Sequence, residues 1–133
     1  TPAAVLPNAE AAAWYRSARI SLNMHRTTTS AGEGQHIRAD EAESLNPRAY
    51  EIAACGGFQL CDDSRAEWYE VFADASPTEA SYQAGNPESL ARSVKHFLKY
   101  PNRRDAIAQA QHQAVQPHSW TARARQVLEA LCL

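Results

Sequence analysis

Helical and alternating hydrophobic patterns follow one another along the chain. Residues 9–18 (AEAAAWYRSA) consist of helix formers, with Ala11, Trp14 and Ala18 recurring at helical spacing, which predicts a first helix. Residues 19–25 (RISLNMH) alternate and place Ile20, Leu22 and Met24 on one face, the period of a short strand. A long polar stretch, with Gly32 and Gly34 inside it, runs from Arg26 to Ser44. Connections in compact α/β units usually take about 2–6 residues, so a stretch this long reads as a functional loop without regular structure. Asn46-Pro47 then has the form of an N-cap followed by a proline at the first helical position, and Gly56 stands where a helix-ending glycine belongs. The segment between them, Pro47 to Cys55, is therefore a helix, and its small residues Ala49, Ala53 and Ala54 permit close packing on a sheet.

Residues 57–61 (GFQLC) predict a second strand ending at Asp62-Asp63. Ser64 and Glu67 have capping-box spacing and open a helix through about Phe72. A very short third strand fits residues 80–84. Asn86-Pro87 repeats the cap-and-proline signal, with Leu90, Val94, Phe97 and Leu98 on one helical face up to Pro101. Residues 102–115 make another helix, and Ser119 caps a last one whose stripe is Trp120, Ala124, Val127, Leu128 and Leu131. Trp14, Trp68 and Trp120 are read as core or helix-packing aromatics. Alternation of this kind favours parallel strands joined by crossover helices. The expected architecture is α/β: a partial, helix-rich, Rossmann-like three-layer fold. Its small parallel sheet has two or three strands, helices on both faces and a C-terminal helical tail.

Composition supports that reading. The 133 residues suit one domain, and 26 Ala against nine Val and Ile leave material for only a small sheet. Thirteen basic and fifteen acidic side chains give a formal charge of −2, with no basic block of the kind a nucleic-acid backbone requires. No run approaches the roughly 20 apolar residues of a membrane span, and no signal peptide is visible. Cys55, Cys61 and Cys132 are odd in number and lack C-x-x-C spacing, which suits buried thiols in a reducing, cytoplasmic setting. The five His show no metal-ligand spacing.

In parallel sheets ligands bind outside the carboxyl ends of strands, beside helix N-termini whose N–H groups and dipole favour phosphate. His25 and Arg26 at the end of the first strand, and the helix start at Asn46, lie at that edge. The segment from Glu43 to Asp63 (ESLNPRAYEIAACGGFQLCDD) resembles the donor-binding core of GT-B-fold glycosyltransferases, which carry E-x7-E within E-S-F-G-x4-E-A-x-A-C-G-x-P-V-V-x-T-D. Glu43 and Glu51 occupy the two glutamate places. The strand ISLNMH before it and the tail from NPESLARSVKHFLKY to HSWTARARQVLEAL match as well, so the likeness runs from about Ala9 to the end. Pro47-Arg48-Ala49-Tyr50-Glu51 is closer to the spore-maturation glycosyltransferase-like subfamily than to the best-known members. The spacing alone carries little, since Glu33 and Glu41 repeat it by chance. The context around it carries the resemblance.

The resemblance implies that Glu51 binds the ribose of a nucleotide sugar and Glu43 the transferred sugar, with the amides of Ser44, Leu45 and Asn46 facing sugar or diphosphate. A carboxylate accepts two hydroxyl hydrogen bonds at once, which suits a diol. His25, Arg26 and Arg48 are candidate phosphate contacts; a surface ion pair between Arg48 and Glu51, and Arg26 solvating the loop mouth, are the alternatives. Leu45-Asn46 stands where the family has Phe-Gly, and a side chain at 46 is expected to fill space otherwise open to ligand. No metal or other cofactor is implied. Residues 1–133 would form a single domain, the later part of the C-terminal donor-binding domain of such an enzyme. Its acceptor-binding domain would be missing from the chain or supplied by another polypeptide, so the chain alone is expected to be inactive. The strand at 20–25 is then an open parallel edge, suited to pairing with a second copy, swapping, or packing on another polypeptide. The competing reading is a non-catalytic, Rossmann-like interaction or scaffold module.

Overall fold

The computed structural model describes residues 6–25, 28–30, 36–38 and 42–132. In chain order the elements are α1 (Asn8–Ser17), β1 (Ser21–Asn23), β2 (Thr28–Ser30), β3 (His36–Arg38), α2 (Pro47–Ala54), β4 (Gln59–Asp62) and α3 (Glu67–Val71). A 3-10 turn at Ala73–Ala75, β5 (Ser81–Tyr82), α4 (Pro87–Lys99), α5 (Pro101–Ala114), a second 3-10 turn at Gln116–His118 and α6 (Trp120–Ala130) complete it. Strands β1, β4 and β5 form a parallel sheet in the order β1-β4-β5, with Ser21 paired to Gln59 and Cys61 to Ser81. This is the expected partial Rossmann-like α/β fold, with β1 at the sheet edge.

Local sequence accounts for most element ends. The Asn46 side chain accepts from Ala49 N at 3.1 Å, Asn86 accepts from Ser89 N at 3.0 Å, and Ser119 Oγ accepts from Ala122 N at 3.2 Å, so three helices start where their caps predict. Gly56 takes the left-handed φ of +76° that ends α2. Gly57 is needed for a different reason: a Cβ there would lie 2.6 Å from the Tyr15 carbonyl oxygen, so α1 rests directly on its backbone. β4 is buried along its whole length and runs through a core of Phe58, Leu60, Trp68, Phe72, Phe97 and Ile107.

Several expectations need correction. The stretch after Arg26 is not without regular structure, because β2 and β3 pair antiparallel, Thr29 opposite Ile37. Ser64 and Glu67 form no capping box. Ser64 Oγ donates to Asp62 instead, and the Glu67 carboxylate accepts from Leu45 N at 2.6 Å and Tyr50 OH at 3.1 Å. β1 alternates as predicted, and its inward face is the polar one: Ser21 and Asn23 are buried, while Leu22 is 41% and Met24, just beyond the strand, 60% exposed. The inward face is polar because Asn23 meets other buried amides. Its Oδ1 accepts from Asn46 Nδ2 at 2.8 Å, and its Nδ2 donates to Gln59 Oε1 at 3.5 Å. Trp68 is a core residue, but Trp14 and Trp120 are exposed, the latter at 92%. Neither α1 nor α6 buries a residue, so their stripes face outward. Of the thiols only Cys61 is buried; Cys55 is half-buried and Cys132 exposed.

Candidate functional site

Parallel strands β1 and β4 end side by side, which brings His25, two residues beyond β1, against Asp62, the last residue of β4. Asp62 Oδ2 accepts from the His25 backbone N at 2.5 Å and lies 3.1 Å from its ring Nδ1, while Oδ1 accepts from Ser64 N at 3.1 Å and from Ser64 Oγ. Both side chains are almost fully buried. Burial alone would raise the Asp62 pKa, but the hydrogen bonds from His25 and Ser64 outweigh it and hold the carboxyl well below the usual range. Cys61 Sγ is 4.0 Å from the same ring nitrogen, and burial pushes its thiol far up, so it stays protonated.

The N-terminus of α2 closes onto this pair. Asn46 is held from three sides: its Oδ1 caps Ala49, its Nδ2 bonds Asn23, and its backbone N–H points at His25 Nε2 at 3.4 Å. Its side chain is therefore turned inward and does not fill the outer space. The preceding residues are pinned from the other side. Arg65 Nη1 donates to Ala42 O at 2.7 Å, Glu67 N to Glu43 O at 3.1 Å, and the Glu67 carboxylate accepts from Leu45 N.

A cavity of about 510 Å³ opens above this arrangement, at the carboxyl end of β1 and the start of α2. His25, Ser44, Leu45, Asn46, Arg48 and Glu51, all candidates from sequence, line it together. Glu43 does not: it is exposed, and only its backbone takes part, as an acceptor for Glu67. Arg26 lies outside the described residues, as do Gly32 and Gly34. Glu51 has no ion-pair partner among the described residues, so the surface bridge to Arg48 does not form. Its carboxylate also borders two neighbouring cavities that reach Tyr50, His118 and Trp120.

Sequence reasoning missed three residues that build this site. Arg65 is buried and adds a second guanidinium to the cavity wall beside Arg48. Asp62 orients His25, and Glu67 anchors Leu45 and Tyr50. Asp62 had a signal: pairing the two predicted strands in parallel would set their terminal residues, His25 and Asp62, next to one another. Chemically, the cavity offers the Arg48 guanidinium and a Glu51 carboxylate with no ion-pair partner among the described residues, which suits a ligand with both anionic and hydroxyl groups. Among the described residues no group of three or more His, Cys, Asp or Glu is placed to hold a metal ion, and no helix is long and apolar enough to cross a membrane.

No curated protein and no solved structure matches the chain. A family model described as glycosyl transferase-like matches residues 3–129, a span that takes in every element of the cavity wall. The chain belongs to the glycosyl transferase-like family.

Proposed function

We propose that the chain is the donor-binding part of a glycosyltransferase of the GT-B type, similar to the spore-maturation subfamily, and that its cavity takes the nucleoside-diphosphate portion of a nucleotide sugar. Family membership supports a role in glycosyl transfer in general terms. The observation that carries the finer reading is the unpaired Glu51 carboxylate on the wall of a cavity shared with His25, Arg48 and Arg65. A ribose diol donates two hydroxyls to such a carboxylate, and a diphosphate complements the exposed Arg48 guanidinium on the same wall. Binding needs no metal on this reading, with Arg48 supplying positive charge to the diphosphate. Departure of the nucleoside diphosphate still requires a positioned acceptor, so an acceptor-binding domain, covalently joined or on another polypeptide, completes the cleft.

Thermal unfolding in the presence of UDP, GDP, ADP and their sugars tests this. A ligand present at a hundred times its Kd stabilises the folded state by about 2.7 kcal/mol, which raises Tm by several degrees. The expected outcome is such a rise with one nucleotide family and its loss in Glu51→Ala. Absence of a rise with every nucleotide, or an undiminished rise in the variant, refutes the proposal and favours a scaffold module.

A further inference from the structure

A separate cavity lies at the opposite edge of the sheet from the one lined by Arg48 and Glu51. It holds about 200 Å³ and sits where α1 leads into β1 and where the Gly56-Gly57 turn leads into β4, at the amino ends of both strands, with α5 as its remaining wall. Cavities that take drug-sized ligands run from about 300 Å³ upward, so this one suits a small ion with a few waters and not a nucleotide.

Its lining is strongly basic. Arg16, Arg19 and Arg104 line it against a single acid, Asp105, on a chain whose formal charge is −2. Arg104 is fixed in the wall. Its side chain is 15% exposed, its Nε and Nη2 lie 3.2 and 3.1 Å from Asp105 Oδ1, and its Nη1 donates to Phe97 O at 3.5 Å. The Asp105 charge is thus spent on Arg104. Arg16 and Arg19 are exposed and have no acidic partner among the described residues. A basic side chain at a helix end ordinarily covers the last carbonyls, and here backbone amides already do so. Ala18 N donates to Trp14 O, and Cys55 N, Gly56 N and Gly57 N donate to the carbonyls of Glu51, Ala53 and Ile52. A Cβ built on Gly56 would meet nothing within 4 Å, so the turn leaves open space beside the arginines.

Two guanidiniums without acceptors and a third held rigid beside that space make a receptor for a compact anion. Each guanidinium presents its N–H groups as a planar fork that matches two oxygens of a phosphate. A carboxylate has two oxygens and one charge, enough for one of the three arginines, whereas a phosphate dianion has oxygens and charge to engage more than one. We propose that the cleft between the end of α1, the Gly56-Gly57 turn and α5 is a site for the dianionic phosphate group, free or as a monoester, with Arg16, Arg19 and Arg104 as its ligands. The site shares no residue with the candidate donor cavity and does not depend on the donor-binding reading.

The test is a titration of the chain with inorganic phosphate and, separately, with glycerol 3-phosphate, followed in amide ¹H–¹⁵N spectra against sodium chloride at matched ionic strength. Saturable shifts are expected at Ala18, Arg19, Gly56 and Gly57 that chloride does not reproduce. Tighter binding of glycerol 3-phosphate assigns the site to an esterified phosphate, and tighter binding of inorganic phosphate assigns it to the free ion. Arg16→Gln and Arg19→Gln alter exposed side chains, and each is expected to weaken binding about two- to fivefold, the worth of one solvent-exposed charge contact, with a larger loss in the double variant. Arg92→Gln on α4 removes the same charge from another exposed position and is expected to leave binding unchanged. The proposal is overturned by the absence of saturable shifts, by shifts that chloride matches, by shifts confined to the start of α2, or by an undiminished affinity in the double variant.

Discussion

Gln111 on α5 acts as a substitute strand, and replacing it by leucine is the sharpest test of how the sheet is held. Backbone groups of alternate residues on a parallel strand point to the same side, and Cys61 N donates to Ala80 O on the β5 side. Gln59, two residues earlier, therefore points its N–H and C=O the same way, at a level that β5 does not reach, since β5 pairs only from Cys61 onward. The Gln111 carboxamide fills that gap: its Oε1 accepts from Gln59 N and its Nε2 donates to Gln59 O, each at 3.1 Å. Both residues are fully buried. In Gln111→Leu two backbone groups lose their partners without gaining water, at about 1–3 kcal/mol each, and the new apolar side chain returns about 1–2 kcal/mol. The net expectation is a loss of about 2–4 kcal/mol, read from the urea midpoint at unchanged m, with exposed Gln113→Leu on the same helix as control. A midpoint within error of wild type would show that the end of β4 does not depend on the α5 side chain.

Gly57→Ala sets a Cβ 2.6 Å from the Tyr15 carbonyl oxygen and 3.3 Å from Ile52 Cγ2. Backbone must move to relieve it, so about 1–3 kcal/mol of stability should be lost in chemical denaturation, and an unaltered midpoint would mean that α1 does not rest there. Tyr50 is pushed up to about 12 from the ordinary 10, first by burial and then by the Glu67 carboxylate that its hydroxyl donates to. Because the folded value is the higher one, the associated stability is complete below pH 10 and disappears as pH rises from 10 to 12. Buried Tyr82 is raised as well, so phenolate absorbance should show a late-titrating component from both tyrosines, which Tyr50→Phe diminishes by one phenol; an undiminished late component in the variant would refute the assignment.

Features decided within a few residues were legible in the sequence. Asn46, Asn86 and Ser119 are caps because a short polar side chain reaches the N–H three residues on, whatever surrounds it. His25 and the helix start at Asn46 could be placed at one strand edge because the alternation of helix and strand fixes which ends meet. Features that need a distant partner were not legible. The apolar alternation of Ile20, Leu22 and Met24 did not say which face turns inward, since only Asn46 and Gln59 make burial of Asn23 tolerable. The periodicity of Trp120, Val127 and Leu128 defines a stripe without saying that anything covers it, and nothing among the described residues does. The β2–β3 pairing had a signal that was passed over: a run of β-branched threonines, a glycine pair and Ile37 within one stretch.

The polar inward face of β1 and the asparagine at position 46 are two ends of one device. A glycine at the start of α2 would leave the space beside it open and would offer no cap. Asparagine supplies the cap, and its remaining amide group must then find a buried partner or cost free energy. Asn23 is that partner, which obliges β1 to turn a polar residue inward. Asn23 in turn meets Gln59, whose own backbone is held by Gln111 and whose side chain donates to Ala49 O at 2.8 Å on α2. The chain of amides thus runs from α5 through β4 and β1 to the first turn of α2 and closes on itself there. An apolar core would pack α2 on the sheet about as well but would let it slide, whereas directional bonds fix its register along the strand ends. That register decides where the Asn46 N–H points and where Glu51, one turn further on, meets the cavity.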